Sequence, residues 1–594
     1  MSDRDLPIAE QPTATYPTVS APTDEPTVVL PQATGTRMGT ESGPGQAGPG
    51  QAGGGDGGAA SVARSSGIMA IGSIVSRGTG FLRTAAIGAA IGGAAVGDAY
   101  QVANTLPNMV YELLLGGILT SVVVPLIVKA RKTDADGGEA FTHRLLTAAT
   151  ILLAAATIVA VLAAPLLTLG FTDAKTGEDG RRLITVLAWL LLPEIFFYGI
   201  AALLAAVLNT RNHFAAPMWA PILNNVTVII TALVFLALPG PATLNPSTIT
   251  ATQVAVLGIG TTLGIVFQAA ALWPALRRVG FRWKWRFDLR GVGLGEAVRL
   301  GAWALVYVGV SQIGLIPVIR IAKYAGDRGG AGPIIHNSAF LLFMMVHGVV
   351  AVSILTALLP RMSAAAAEQR YSDVAANLSL GSRLSSVVLV PATAAYVALG
   401  VPLAVTAFQW GRFTGDQAHA TGLAVMAAGV GLVPFAISQM QIFAFYAMRD
   451  TKTPALLNIP VVIAKVLFDI GVLLLVPVEY IVVGLMWGNT LSYVVAVLIS
   501  ARLLRQRIGS LDTGRVTRTL GRLAVVSLLA GGIAWALAYG VQEWLGDAKV
   551  GSFVALVVGG LALSVAFVAG AVFLRISEVT EVWSTVRRRI PGLR

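Results

Sequence analysis

The chain contains no cysteine. That removes disulfides, thiolate metal sites and cysteine nucleophiles together. Histidine is scarce, with 5 in 594 residues, and no pair has the spacing of the HExxH zinc motif. GxSxG, Walker A and EF-hand patterns are also missing, so no enzymatic constellation emerges and no resident metal or cofactor is expected. Charged residues make up only 12% of the chain, against about 25% in soluble domains.

What is abundant is apolar surface. Hydrophobic residues reach 55% and the mean hydropathy is +0.74. A long chain with so little charge cannot clothe itself in a polar surface, so lipid is the implied solvent. Lipid offers no partners to backbone amides, and a helix of about 20 apolar residues satisfies its own. A β-barrel would show alternating segments of about ten residues instead of long Leu/Val/Ala runs. The formal charge of +12 invites nucleic acid. In membrane proteins, however, Lys and Arg gather in cytoplasmic loops beside anionic headgroups. No basic patch is read as interleaved with aromatics, so nucleic acid is not expected as a partner.

Residues 1–62 are rich in Pro, Gly, Thr and Ala and end in GPGQAGPGQAGGGDGG. They read as a disordered cytoplasmic tail without the features of a signal peptide. Beyond them, apolar periodicity predicts helices near 66–91, 98–128, 145–170, 183–208, 215–238, 251–276, 295–324, 334–359, 382–408, 418–447, 454–476, 480–503, 518–541 and 550–574. With the amino terminus inside, the basic residues fall on alternate loops, from Lys129, Arg131 and Lys132 through Arg277–Lys284 to Arg502–Arg518 and Arg587–Arg589. The opposite loops are nearly bare, and Lys175, Arg328 and Arg412 are the exceptions. This pattern puts both termini in the cytoplasm and favours an even number of spans.

The chain also repeats itself. LNTRNHFAAP after the fourth helix is answered by AMRDTKTP after the tenth, and ILTSVVVP in the second by ILTALLP in the eighth. An offset of six helices implies two halves in the same orientation, an architecture of transporters that hold substrate between lobes. Arg followed by a polar residue and Pro is also ordinary turn chemistry. The expected fold class is an all-α polytopic membrane protein of about 14 transmembrane helices: two six-helix lobes in parallel pseudo-repeat plus two C-terminal helices. The domain reading is 1–62 tail, 63–278 N-lobe, 279–507 C-lobe, and 508–594 for helices 13–14 with a basic tail.

Intramembrane charge costs at least about 2.5–3.5 kcal/mol, so it normally faces a cavity or a partner. Arg77 and Arg83 lie in the first helix. Six residues apart, they are off one face by roughly 120°, and a bend at Gly78 or Gly80 would bring both to one cavity. Two guanidiniums suit a pyrophosphate; the alternative is snorkelling to an interface. Asp98 opens the second helix, either as an N-cap or as a partner for an arginine. Glu112 lies deeper and has the same choice of cation. Arg320, late in the seventh helix, either lines the cavity or snorkels. Glu194, beside Pro193, is a candidate for proton or cation coupling. Lys465 and Asp469, four apart, are expected to neutralise each other.

The segment SRGTGFLR, then GDAYQVANTLPN and GGILTSVVVP, resembles the amino-terminal signature of the MurJ (MviN) lipid II flippases. LNTRNHFAAPMWAP, VSQI, ILTALLPRMS, FQWGRFT and MRDTKTP follow in family order, covering about residues 70–455. The resemblance implies the multidrug/oligosaccharidyl-lipid/polysaccharide exporter fold, a central cationic cavity, and two last helices forming a groove for an undecaprenyl tail. It implies lipid II as substrate, with Arg77, Arg83 and Asp98 on the family's cavity positions. Two arginines usual in the family are absent, with Tyr111 and Leu341 standing where they are expected, and Arg320 is the candidate replacement on the C-lobe. Transport would proceed by alternating access, driven by membrane potential or an H+ or Na+ gradient. Membrane lipids, and through the tail cell-wall synthesis and division proteins, are further expected partners. The rival readings are a same-fold exporter of another glycan or a drug, a lipid-modifying enzyme, and a scaffold.

Overall fold

The structure is a computed structural model that describes residues 56–576, except 114–122, 212, 242 and 289–293. Most of the tail and the terminal Arg587–Arg589 lie outside the described residues. Helix α1 (Asp56–Ile91) begins inside the segment read as tail, where alanines 59, 60 and 63 favour helix. In the second span the structure describes α2 (Ala95–Glu112) and α3 (Val124–Thr133), on either side of residues that are not described. Then come α4 (Glu139–Leu162), the short α5 (Ala164–Leu169), and a fourth span broken at Pro193 into α6 (Gly177–Leu191) and α7 (Glu194–Thr210). The proline removes an amide donor, so the helix restarts at Glu194. Helices α8 (Ala215–Ala237) and α9 (Ala251–Arg278) complete the first half.

The second half comprises α10 (Leu294–Gly326), α11 (Pro333–Ala367), α12 (Tyr371–Phe408), α13 (Gly415–Val430) with α14 (Leu432–Ala447), α15 (Lys452–Leu475) and α16 (Ile481–Ile508). Helices α17 (Thr513–Leu545) and α18 (Lys549–Phe573) pack on each other and on α12. Among the described residues, eleven helices are long and apolar enough to cross a membrane, or twelve if α13 and α14, bent by 47° at Gly431, form one span. The sequence reading of fourteen is not reached by this criterion. Its first two helices fall on α1 and on α2 with α3, which the criterion does not select.

The repeat reappears in side-chain contacts. Asn225 on α8 donates from Nδ2 to the Ser76 carbonyl (3.1 Å) and to Thr79 Oγ1 (3.0 Å) on α1. Asn458 on α15, six helices later, donates to the Tyr307 carbonyl (2.9 Å) and to Ser311 Oγ (2.8 Å) on α10. Two residues past each accepting carbonyl stand Gly78 and Gly309, and both face open space. Lys465 and Asp469 form the expected i,i+4 pair at 2.6 Å, with Asp469 fully buried. The missing Cβ of Gly488 leaves room for its carboxylate.

The reading that no basic patch is interleaved with aromatics is corrected at residues 281–287. Phe281, Trp283, Trp285 and Phe287 alternate there with Arg282, Lys284 and Arg286. Counting basic residues per loop for topology had hidden the alternation.

Candidate functional site

The polar contacts that join the two halves cluster at the end away from the basic loops. Asp98, 2% exposed near the start of α2, accepts a hydrogen bond from the Ile334 amide (3.2 Å) in the first turn of α11. A carboxylate at a helix N-terminus satisfies an orphan donor and complements the helix dipole. Gly326 and Gly332 give it space, since a Cβ on either would run into its oxygens. Lys323 in the last turn of α10 and Asp327 just beyond it, paired with each other, lie within its electrostatic reach.

Around this contact lie four more. Thr176 Oγ1 donates to Asp327 (2.6 Å), and Arg328 Nη1 donates to Asp173 (2.8 Å). The Gly93 amide donates to Gln417 Oε1 (2.8 Å), and Arg412 donates to the carbonyls of Ala89 (2.8 Å) and Ala90 (2.9 Å). Arg328 and Arg412, exceptions to the loop-charge pattern, are thus latch residues between the halves. Lys175 is exposed.

Asp173 lies in the loop before α6 and titrates below its ordinary value. Partial burial raises it, but the bonds from Arg328 and from the Lys175 and Thr176 amides outweigh that. A carboxylate with a depressed folded value contributes above its unfolded pKa of about 3.9 and loses that contribution as pH falls through the folded value. The Asp173–Arg328 contact should therefore hold unchanged from about pH 8 to about pH 5 and loosen only below about pH 4. Hydrogen exchange of the 324–332 loop against pH checks this.

Arg77 and Arg83 are half-buried, and among the described residues neither forms a hydrogen bond or ion pair. Helix α1 runs unbroken through Gly78 and Gly80. The guanidinium of Arg77 crosses to the other half and lies on Gly348 of α11, where a Cβ would displace it. It also acts electrostatically on His347, whose ring is 4.3 Å from that of Phe435. Arg83 stays within its own half, where its field reaches Glu194, Tyr100 and Tyr198.

Glu194 is fully buried at the first position of α7. Thr262 Oγ1 donates to it at 3.4 Å, and its other oxygen has no partner among the described residues. Glu194 is thus the carboxyl group within electrostatic reach of Arg83, with no ion pair between them. Asp98 is committed to α11, and Glu112 is exposed and unpaired among the described residues. Tyr111 packs against Tyr198 with tilted rings, centroids 4.4 Å apart, and Leu341 is partly buried. Arg320 shares an exposed stripe of α10 with Val306, Ile313 and Ile316, and among the described residues it forms no hydrogen bond or ion pair.

Gly348 and His347 were not singled out in the sequence, because nothing local marks a glycine that faces a cation from another helix. Gly348→Ala is expected to fold, since it meets only the far end of a flexible side chain. It should nevertheless displace the guanidinium and lower transport about tenfold, with thermal stability unchanged as the control.

The arrangement is two halves of the chain, each with an equivalent Asn contact between neighbouring helices, latched at one end, with Arg77 set against the opposite half and Arg83 within its own. The family model described as "Lipid II flippase MurJ" matches residues 87–559. The chain belongs to the MurJ lipid II flippase family. It is 26% identical over 491 residues to the probable lipid II flippase MurJ of Haemophilus influenzae, covering 80% of this chain and 90% of that protein. It is 27% identical over 398 residues to the lipid II flippase MurJ of Burkholderia cenocepacia, covering 66% and 74%. Among solved structures, a MurJ in an inward closed conformation aligns with a TM-score of 0.68 at 18% identity, covering 85% of this chain and 98% of that one. An inward-facing multidrug resistance MATE transporter of the MOP superfamily aligns at 0.59 and 17%, covering 73% and 95%. These likenesses show that the MurJ fold is shared with MATE transporters.

Proposed function

We propose that this MurJ-family protein is a transporter that moves lipid II, the undecaprenyl-pyrophosphate-linked disaccharide-pentapeptide, from the inner to the outer leaflet of the cytoplasmic membrane. The observation that carries the reading is Arg77, an α1 cation unpaired among the described residues, placed against Gly348 of the opposite half. It stands beside Gly78, which borders open space. An anion entering there meets a charge that needs no competing carboxylate removed. The pyrophosphate engages Arg77 first and Arg83 second, while the prenyl tail stays in lipid, where α17 and α18 offer an apolar surface. Both termini and the basic loops lie in the cytoplasm, and Asp98 belongs to the latch that keeps the outer end shut.

The latch is of a strength that can be reversed. A neutral hydrogen bond such as Gly93–Gln417 contributes about 1 kcal/mol net, a bond to a charged group about 1.5–3 kcal/mol and an exposed ion pair about 0–1 kcal/mol. A charge crossing 100 mV gains about 2.3 kcal/mol, so membrane potential or an H+ or Na+ gradient suffices to bias the two states. Glu194, buried next to Arg83, is the proposed coupling carboxylate, and Glu112 a cavity residue.

Arg320 is proposed as a headgroup ligand of the second half. Arg320→Ala should weaken lipid II binding about tenfold, as for one charge-assisted bond. Unchanged affinity with normal complementation of a depleted strain would remove it. The function itself is tested by assaying which leaflet holds lipid II in proteoliposomes carrying Arg77 and Arg83 variants. A scaffold would leave translocation intact.

A further inference from the structure

Helix α9 ends at Arg278. Gly280 then takes a φ of +79°, and the Phe281 amide donates back to the Leu276 carbonyl (3.2 Å), reversing the chain. The segment that follows is neither helix nor strand, and it climbs the side of α4. The Lys284 amide donates to His143 Nδ1 (3.3 Å) and the Arg286 amide to Thr147 Oγ1 (3.1 Å). His143 and Thr147 are about one helical turn apart, so two residues of ribbon advance about 6 Å along the helix, close to an extended rise. Thr147 is about 12 Å from the start of α4, which places the ribbon in the zone where a spanning helix meets the headgroups.

The alternation gives the ribbon two edges. On one, the rings of Trp273, Trp283, Trp285 and Phe287 form a continuous series with centroid separations of 6.3, 5.0 and 6.3 Å. Exposure rises along it, from 1% at Phe281 to 57% at Trp285 and 72% at Phe287. On the other edge Arg282, Lys284 and Arg286 are exposed, and among the described residues none forms an ion pair. Asp288, 4.0 Å from Arg144, ties the far end down to α4.

We infer that residues 281–287 are an interfacial anchor that binds anionic phospholipid in the leaflet on the basic-loop side. The aromatic edge seats at the headgroup–acyl boundary, where indole rings are favoured. The cationic edge engages lipid phosphates. Rings exposed to this extent and cations without acidic partners are complementary to that surface. Backbone amides held by His143 and Thr147 let a non-helical segment lie at this depth. The anchor fixes the connection between the two halves to the membrane plane. This inference does not depend on what the protein transports.

The test uses the full chain in phosphatidylcholine nanodiscs, titrated with phosphatidylglycerol. Replacing all three cations (Arg282→Gln, Lys284→Gln and Arg286→Gln) should weaken phosphatidylglycerol binding about a hundredfold, roughly fivefold per cation. Separately, a nitroxide on Phe287→Cys in this cysteine-free chain should be accessible to oxygen and shielded from a water-soluble nickel chelate. The same label on Asp136→Cys, in an exposed loop, should show the reverse. Unchanged phosphatidylglycerol affinity in the triple variant, or a Phe287→Cys label as water-accessible as the control, overturns the inference. So does a short single-stranded RNA that displaces phosphatidylglycerol from the native chain and fails to bind the triple variant.

Discussion

Replacing Arg77 and Arg83 together by alanine is expected to abolish lipid II translocation in proteoliposomes while leaving the helices folded. Each charge-assisted bond to a phosphate contributes about 1.5–3 kcal/mol, so losing two lowers headgroup occupancy by roughly a hundredfold to ten-thousandfold. The single variants should differ. Arg83 stays within its own half, in the electrostatic reach of buried Glu194. Arg77 has no carboxylate partner among the described residues, so Arg77→Ala should cost more transport than Arg83→Ala. The stability order should be the opposite, because Arg83→Ala strands Glu194 in the interior. Arg77→Lys should restore only part of the activity, since an ammonium cannot present the bidentate fork. Equal transport by both single variants would contradict the assignment of Arg77 as the principal ligand.

Gly332→Ala should be the substitution that most strongly opens the latched end. Its Cβ would enter the space of the Asp98 carboxylate, which is short, 2% exposed and already bonded to the Ile334 amide. Unlike the arginine facing Gly348, this carboxylate has no flexible stem with which to retreat. Loss of a bond between a charged acceptor and a helix N-terminus costs about 1.5–3 kcal/mol, a shift of roughly ten- to a hundredfold in the closed-to-open ratio. Spin labels on Lys175→Cys and Asp416→Cys, exposed on opposite halves, would report it as a longer and broader distance distribution. Asp98→Asn keeps an acceptor for the Ile334 amide and should shift the distribution less. If Gly332→Ala leaves the distances unchanged, Asp98 is not the residue that holds this end shut.

Much of the architecture was legible because hydropathy is a local property. An apolar run of sufficient length forms a helix in lipid whatever its neighbours, so the predicted segments fall on the observed helices. The errors are where a proline or glycine breaks a span, as at Pro193 and Gly431, or where a polar start conceals a helix, as before residue 66. The pseudo-repeat was legible in two turn motifs, but its firmest expression, the Asn225 and Asn458 bonds, depends on which helices become neighbours. Arg328 and Arg412 looked like defects in a charge rule because that rule counts loops without knowing which loops meet.

By itself the sequence determined that this is a polytopic membrane protein, that its ends differ in basic charge, that two cations lie in the first span, and that its motifs belong to one family. Only the tertiary structure decided which partner each charge meets. Arg77 and Arg83, six residues apart, look into different halves. Asp98 serves an amide 236 residues away instead of either arginine. The reason is that insertion into lipid depends on composition along one helix, whereas the pairing of charges depends on how separate helices cross, and no local pattern encodes that.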